Sequence, residues 1–330
     1  MAWQSIDELD EDTRRIEALV DITPGIDPWC SGPDWFLPAH DAFADRTTPL
    51  LWSEEGTGAV LLAESLSFEG IPIVAGLEPM WGFTSPLVGP NLPDLAELAA
   101  EHVADIDLWQ FCILSGLPLS SELATAMAQP FRALGKVQAT HGIVRQVADL
   151  GSGYDAWFGA RSARFRKLIR QSERQASAAG VRFSDVSDDP EAYRRCHAIE
   201  IQSWKGLGND GITSPEMHRF YELMTKRLQR TGRFRATIAQ LGDQDIGFIF
   251  GGVRNGRYRG LQLSFIEPAR YLSVSHLLQH HTIKALVAEG VHTYDLGMDM
   301  DYKRRWADRS EPSMSLIVQR SGPGDRHHIR

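Results

Sequence analysis

Asp299, Asp301, Tyr302 and Lys303 crowd one short stretch near the C-terminus, just past an apolar strand-like run that ends at Gly297. A strand end followed by glycine and a turn puts such residues at the carboxyl edge of a sheet, where open α/β sheets form their ligand crevice. Attack by an amine on a thioester or ester needs a base for the amine proton, a donor for the tetrahedral oxyanion and an acid for the leaving group. Lys303 can supply the positive charge, Asp299 can be the base or orient the amine, and Tyr302 can protonate a leaving thiolate. The plainer reading of the same residues is that Asp299 or Asp301 caps a helix, Tyr302 and Trp306 pack, and Lys303 is solvated.

A second set lies upstream. Ser203 to Ile212 combines an indole, a lysine and several glycines between helices, a composition suited to folding over a ligand. Trp204, Lys205 and Asp210 are its candidate acceptor-binding residues, with Asp301 from the first set. Glu200, one turn before Trp204, faces the same side of its helix and is a further base candidate. The alternative is an ordinary turn that buries Trp204.

The third set is Arg270, Ser273, Val274 and Ser275, with Phe265 at the end of the preceding strand. A helix that starts here leaves unpaired N–H groups which, with the helix dipole, attract phosphate. Ser273 is expected at the N-cap and Arg270 as a phosphate partner, an arrangement suited to a pyrophosphate; equally, Ser273 simply caps and Arg270 is solvated. His276 and His280 lie four apart, as in some zinc sites, but no third ligand is evident, so no metal is expected.

The elements that must position these residues are legible from periodicity. Strands are expected at Ile246 to Val253, Tyr258 to Ile266 and Thr293 to Gly297, with a helix from Val274 to Glu289 before the last. Upstream of them come a helix from Tyr154 to Ala179, a strand from Val181 to Ser184, helices from Pro190 to Trp204 and Pro215 to Thr231, and a strand from Phe234 to Leu241. The first half repeats the order of strand, strand, loop, helix, strand at Ala59 to Leu66, Ile71 to Leu77, Leu95 to Ala104 and Leu108 to Leu114, after an opening helix from Ile6 to Val20. Self-similarity at a fixed offset is the mark of an internal duplication. With the flexible Gly151-Ser-Gly153 joint, it divides the chain into residues 1–150 and 151–330. The position matching the titratable cluster reads Leu114-Ser-Gly-Leu-Pro118, without charge, so the first half is expected to be catalytically empty.

Four stretches resemble the GNAT superfamily, in its CelD-like branch related to the Fem aminoacyltransferases: Arg161-Ser-Ala-Arg-Phe-Arg-Lys-Leu-Ile-Arg170 running to Gly180, Ser203 to Ile212, the strand pair with its following helix, and Tyr294 to Trp306. The resemblance covers residues 155 to 310. It implies an α/β fold with an α+β mixed sheet, built as tandem GNAT-like domains of which the N-terminal one is degenerate. It also implies an N-acyltransferase that uses acetyl-CoA or a longer acyl-CoA, with an electrostatic role for Lys303. The Arg270 to Ser275 loop lacks the glycines such loops usually carry, which admits an acyl carrier protein or an aminoacyl-tRNA as donor. The alternatives are therefore a Fem-like aminoacyltransferase and a non-catalytic GNAT-fold binding protein. The basic helix from Arg161 to Arg174 suits a phosphate-rich donor or tRNA, or else is a solvated face.

Composition narrows the classes. At 330 residues the chain is long enough for two domains. A formal net charge of -9 argues against a DNA-binding role. No run approaches the roughly 20 apolar residues that span a bilayer. Cys30, Cys112 and Cys196 are too few and scattered for a disulfide framework. The expectation is a cytoplasmic monomer or homodimer acting on a small-molecule or peptide amine.

Overall fold

The computed structural model describes every residue except 1, 2, 4, 44–46, 55, 68, 209, 210 and 322–330. The chain forms two units, residues 1–143 with 312–330 and residues 144–311. The first contains α1 (Ile6–Glu11), α2 (Thr13–Ile22), α3 (Pro33–Phe43), β1 (Thr48–Glu54), β2 (Gly58–Leu66), β3 (Pro72–Gly76), β4 (Leu87–Val88), α4 (Leu92–Ala104), β5 (Phe111–Pro118) and α5 (Ser121–Ala128). The opening helix is thus two helices that meet at Asp12. Ser5 starts the first by accepting the Glu8 N–H at its Oγ. α3 forms in a segment that carries two prolines, Pro33 and Pro38. Pro33 opens the helix, where a missing N–H costs nothing, and Trp35, Phe36 and Leu37 are buried.

β6 (Gly135–Asp149) leads from the first unit into the second. There follow α6 (Tyr154–Ala160), α7 (Ala163–Ala178), β7 (Val181–Asp185), α8 (Ala192–Ile201), α9 (Trp204–Leu207), α10 (Pro215–Arg230), β8 (Phe234–Leu241), β9 (Gln244–Arg254), β10 (Arg257–Phe265), α11 (Val274–Ala288), β11 (Thr293–Met298), α12 (Asp301–Arg304) and β12 (Arg309–Arg320). The single helix expected from Tyr154 to Ala179 breaks at Arg161. That guanidinium turns back to the carbonyls of Trp157 and Ala307 and pairs with Asp308, while Ser162 Oγ accepts the Phe165 N–H and restarts the helix as α7.

The strand pairings expose the duplication. In the first unit β1, β2, β3, β5 and β12 lie in that order, and successive pairs run antiparallel, antiparallel, parallel and antiparallel. In the second, β8, β9, β10, β11 and β6 follow the same order with the same four relations, and β7 adds an outer strand. The core of the second unit is aromatic. Trp157, Phe158, Phe165, Tyr258, Tyr294 and Trp306 are all buried, and complete burial of one such side chain is worth about 1.5–3 kcal/mol. Val274 and Leu278 of α11 lie against β9 at Gly247, where a Cβ would stand 2.6 Å from Val274. Among the described residues no helix is long and apolar enough to cross a membrane, and all three cysteines are buried free thiols.

Candidate active site

β10 and β11 run in parallel register for three pairs only: Arg257 with Thr293, Tyr258 with Tyr294, and Arg259 with Asp295. β10 then continues along β9 to Phe265, and β11 continues to Met298 without it. A register shift between Gly260 and Gln262 marks where β10 turns aside, the usual work of a bulge. The gap opens into a cavity of about 470 Å³. Leu261, Leu263 and Phe265 line it from β10, Tyr294 and Leu296 from β11, and Ser275, His276 and Gln279 from α11. Trp204, Lys205, Met300, Tyr302, Lys303 and Trp306 complete the wall. An apolar chamber with a few convergent polar groups is the ordinary form of a small-molecule site. Gly260 lets Tyr294 close its inner end, because a Cβ there would lie 2.9 Å from the ring.

A buried charge cluster stands where the strands part. Asp295 is wholly buried and pairs with Arg259 at 3.0 Å and with Arg145. Arg257 approaches it at 3.8 Å, and Arg145 and Arg257 also reach Glu311 at 3.1 and 3.2 Å. Burial pushes the Asp295 carboxyl up, but Arg259, Arg145 and the Gly297 N–H reverse this and hold it below the usual carboxylate range. Asp295→Asn removes a wholly buried carboxylate from among these arginines and should cost about 3 kcal/mol in denaturant unfolding. Because the folded carboxyl titrates below its ordinary value, its stabilisation is present above about pH 4 and is lost as acid protonates it. Wild type and variant should therefore converge in stability on acidification.

Lys303 lies beside this cluster, half-buried, with Nζ donating to the Met298 carbonyl at 3.0 Å. Burial and then the Arg259 guanidinium lower its pKa to about 8, against the opposing effect of Asp295. Tyr302 sits at the rim, and burial of its phenol end raises its pKa. From α9, Lys205 Nζ donates to the Leu263 carbonyl at 3.0 Å and to Gln262 Oε1 at 3.3 Å. Behind Lys205 lies Glu200, with no exposed surface. Its Oε2 accepts from Ser203 Oγ, while Oε1 has no hydrogen-bond partner among the described residues and stands 3.8 Å from Lys205 Nζ. Gly211 covers that oxygen so closely that a Cβ would fall 2.4 Å from it.

The structure thus gathers Lys303, Tyr302, Trp204, Lys205, Phe265 and Ser275 around one cavity, with Glu200 behind Lys205. Other candidates lie elsewhere. Asp299 accepts two bonds from Arg304, which lowers its pKa, and does not line the cavity. Asp301 is almost fully exposed, 3.4 Å from Arg304. Arg270 pairs on the surface with Glu267. Ser273 holds the N-cap position of α11 but in the left-handed region, at φ 55°, and its side chain makes no capping bond. The expected side-chain cap is therefore corrected: an N-cap side chain reaches the first helical amides from extended backbone, a conformation Ser273 does not adopt. Val274 is buried at the helix start, and Asp210 lies outside the described residues. His280 is engaged at both ring nitrogens, by Glu173 at 3.2 Å and Tyr154 at 2.5 Å. Among the described residues no group of three or more His, Cys, Asp or Glu is placed to hold a metal. Sequence reasoning missed the Arg259–Asp295 pair, although charged residues in otherwise apolar strands are its signal.

The first unit differs at the corresponding place. The third parallel pair there is Ala75 with Ile113, so the buried ion pair has an apolar counterpart. The loop after β3 also fills the gap. A Cβ on Gly116 of β5 would stand 2.5 Å from the Phe83 carbonyl, and one on Gly76 of β3 would stand 3.6 Å from Pro86. Glu78 ties the loop down by accepting the N–H groups of Met80, Trp81 and Phe83.

Residues 163–304 match the family model described as an acetyltransferase (GNAT) domain. The second unit is a GNAT acyltransferase domain. No curated protein sequence matches the chain. In fold it is similar to a crystal structure of FemX, with TM-score 0.66 at 11% identity over 93% of this chain and 96% of that one. It is also similar to the C-terminal domain of a putative lysylphosphatidylglycerol synthetase from Agrobacterium fabrum, with TM-score 0.54 at 13% identity over 87% and 91% of the two chains. A tandem GNAT protein from the clavulanic acid biosynthesis pathway aligns over 96% of this chain and 97% of its own, with TM-score 0.51 at 15% identity. The whole chain accordingly has a tandem GNAT-like fold, with one GNAT-like unit for each copy of the shared strand order.

Proposed function

We propose that the second unit is an N-acyltransferase that moves an acyl group from acyl-CoA, or another thioester, to an amine by direct attack. The observation that carries this reading is the gap between β10 and β11, a cavity with lysines on two of its walls. The donor's phosphates would rest near Ser273, Val274 and Ser275 at the start of α11, with Phe265 beside the thioester arm. Arg270 could join them by leaving Glu267. Lys303, as the ammonium, stabilises the oxyanion of the tetrahedral intermediate. Tyr302 gives its proton to the departing thiolate. The amine proton passes to Glu200 by way of Lys205, which releases one proton to Oε1 as it receives another. Trp204 borders the acceptor, Asp210 is an acceptor-binding candidate by its sequence position alone, and Asp299 and Asp301 would act only by contacting an acceptor that extends beyond the cavity.

The first unit, in this reading, is a catalytically silent copy. The enzyme acts in the cytoplasm on a small molecule, amino sugar or peptide amine. Calorimetric titration with acetyl-CoA and longer acyl-CoAs tests the donor: micromolar binding of at least one is expected. Binding of an acylated carrier protein or an aminoacyl-tRNA while every acyl-CoA fails would replace the donor, and no binding of any of these would leave a GNAT-fold binding protein.

A further inference from the structure

The start of α7 and the end of α12 border a second hollow, about 540 Å³ and open to solvent, which is not needed for the chemistry above. Arg164, Lys167 and Gln171 line it from one face of α7, and Arg305 lines it from the end of α12. Among the described residues none that line it is acidic. Among the described residues Arg164, Lys167 and Arg305 form no hydrogen bond or ion pair, whereas their neighbours Arg161, Arg166 and Arg304 are all bonded. Three exposed cations around one hollow give it a positive potential that attracts an anion. Phe165 and Leu168 give the hollow an apolar floor.

The hollow adjoins the reaction cavity. Phe165 packs edge-on against Trp306 at 4.8 Å, and Trp306 lines the reaction cavity together with His276 of the first turn of α11. Arg305 is near enough to His276 to depress its pKa further, after burial. Farther along α7, Gln175 donates to the Tyr271 carbonyl, in the loop that leads to the start of α11. A reactant reaching out of the cavity past that loop would meet the basic face of α7.

We propose that Arg164, Lys167 and Arg305 bind a phosphate group carried by a reactant whose reacting end lies between β10 and β11. The phosphate is a ribose phosphate of the donor or a phosphate on the acceptor. Since the second half of the proposal rests on the acyltransferase reading, its test must separate the two ideas. The probes are coenzyme A, 3′-dephospho-coenzyme A and inorganic pyrophosphate, titrated into the full chain and into Arg164→Gln/Lys167→Gln/Arg305→Gln. These residues are exposed, so the variant should keep its thermal midpoint.

If the donor supplies the phosphate, coenzyme A binds about tenfold more tightly than its dephospho form, and the triple variant abolishes the difference. If the acceptor supplies it, the two coenzymes bind alike, while pyrophosphate binds the wild type and about tenfold less well the variant. Pyrophosphate binding that depends on the three cations, with no coenzyme binding at all, supports the phosphate site and rejects the coenzyme donor. Equal binding of every probe to wild type and variant overturns the proposal.

Discussion

Lys303→Ala is expected to lower kcat/KM by about 10²–10³, the usual loss when one oxyanion donor is removed. The side chain is half-buried beside Met298, so its truncation should not unfold the protein, and circular dichroism should match the wild type. The pH dependence gives the sharper measurement. With a pKa near 8, the ammonium needed at the oxyanion is present below that pH and is lost above it. The kcat/KM profile should therefore fall through about pH 8. Lys303→Arg keeps a cation that does not titrate in this range. It should retain part of the rate and lose the alkaline limb. An alkaline limb that survives in Lys303→Arg would assign it to another group, and full activity of Lys303→Ala would remove the lysine from the mechanism.

Glu200→Gln should reduce kcat by about 10²–10³ with a smaller change in KM, the range lost with a general base. The substitution keeps the shape of a side chain that has no exposed surface and sits under Gly211. Gln also keeps the Ser203 contact possible, so stability should change little. Glu200→Asp should recover part of the rate because it preserves a proton acceptor. If the Gln variant turned over normally, Glu200 would be left as a fixed partner for Lys205, and the amine proton would need another route.

Much of the fold was legible because the second unit keeps local signals and global packing in agreement. β8 falls at its expected bounds, Phe234 to Leu241, and β9, β10 and α11 lie within two residues of theirs. The less legible elements have identifiable causes. α3 carries two prolines, yet it is fixed by buried Trp35 and Phe36. The break at Arg161 depends on Asp308, far away in sequence, which no helical periodicity contains.

The site was legible in residue type and less so in direction. Lys303 and Tyr302 meet the cavity, whereas Asp299, four residues before Lys303, turns to Arg304 instead. Such a choice is made by a neighbouring guanidinium and a short turn, and spacing alone does not encode it. Asp295 and Arg259 became partners only through strand register.

The loop that Glu78 secures in the first unit has a consequence for any future search for ligands there. An occupant tethered to its own berth acts at an effective concentration of about millimolar or more, so a diffusing thioester at ordinary concentrations cannot displace it. Restoring charge at Ala75 and Ile113 would consequently awaken nothing while Phe83 and its neighbours stay in place; vacancy has to precede chemistry.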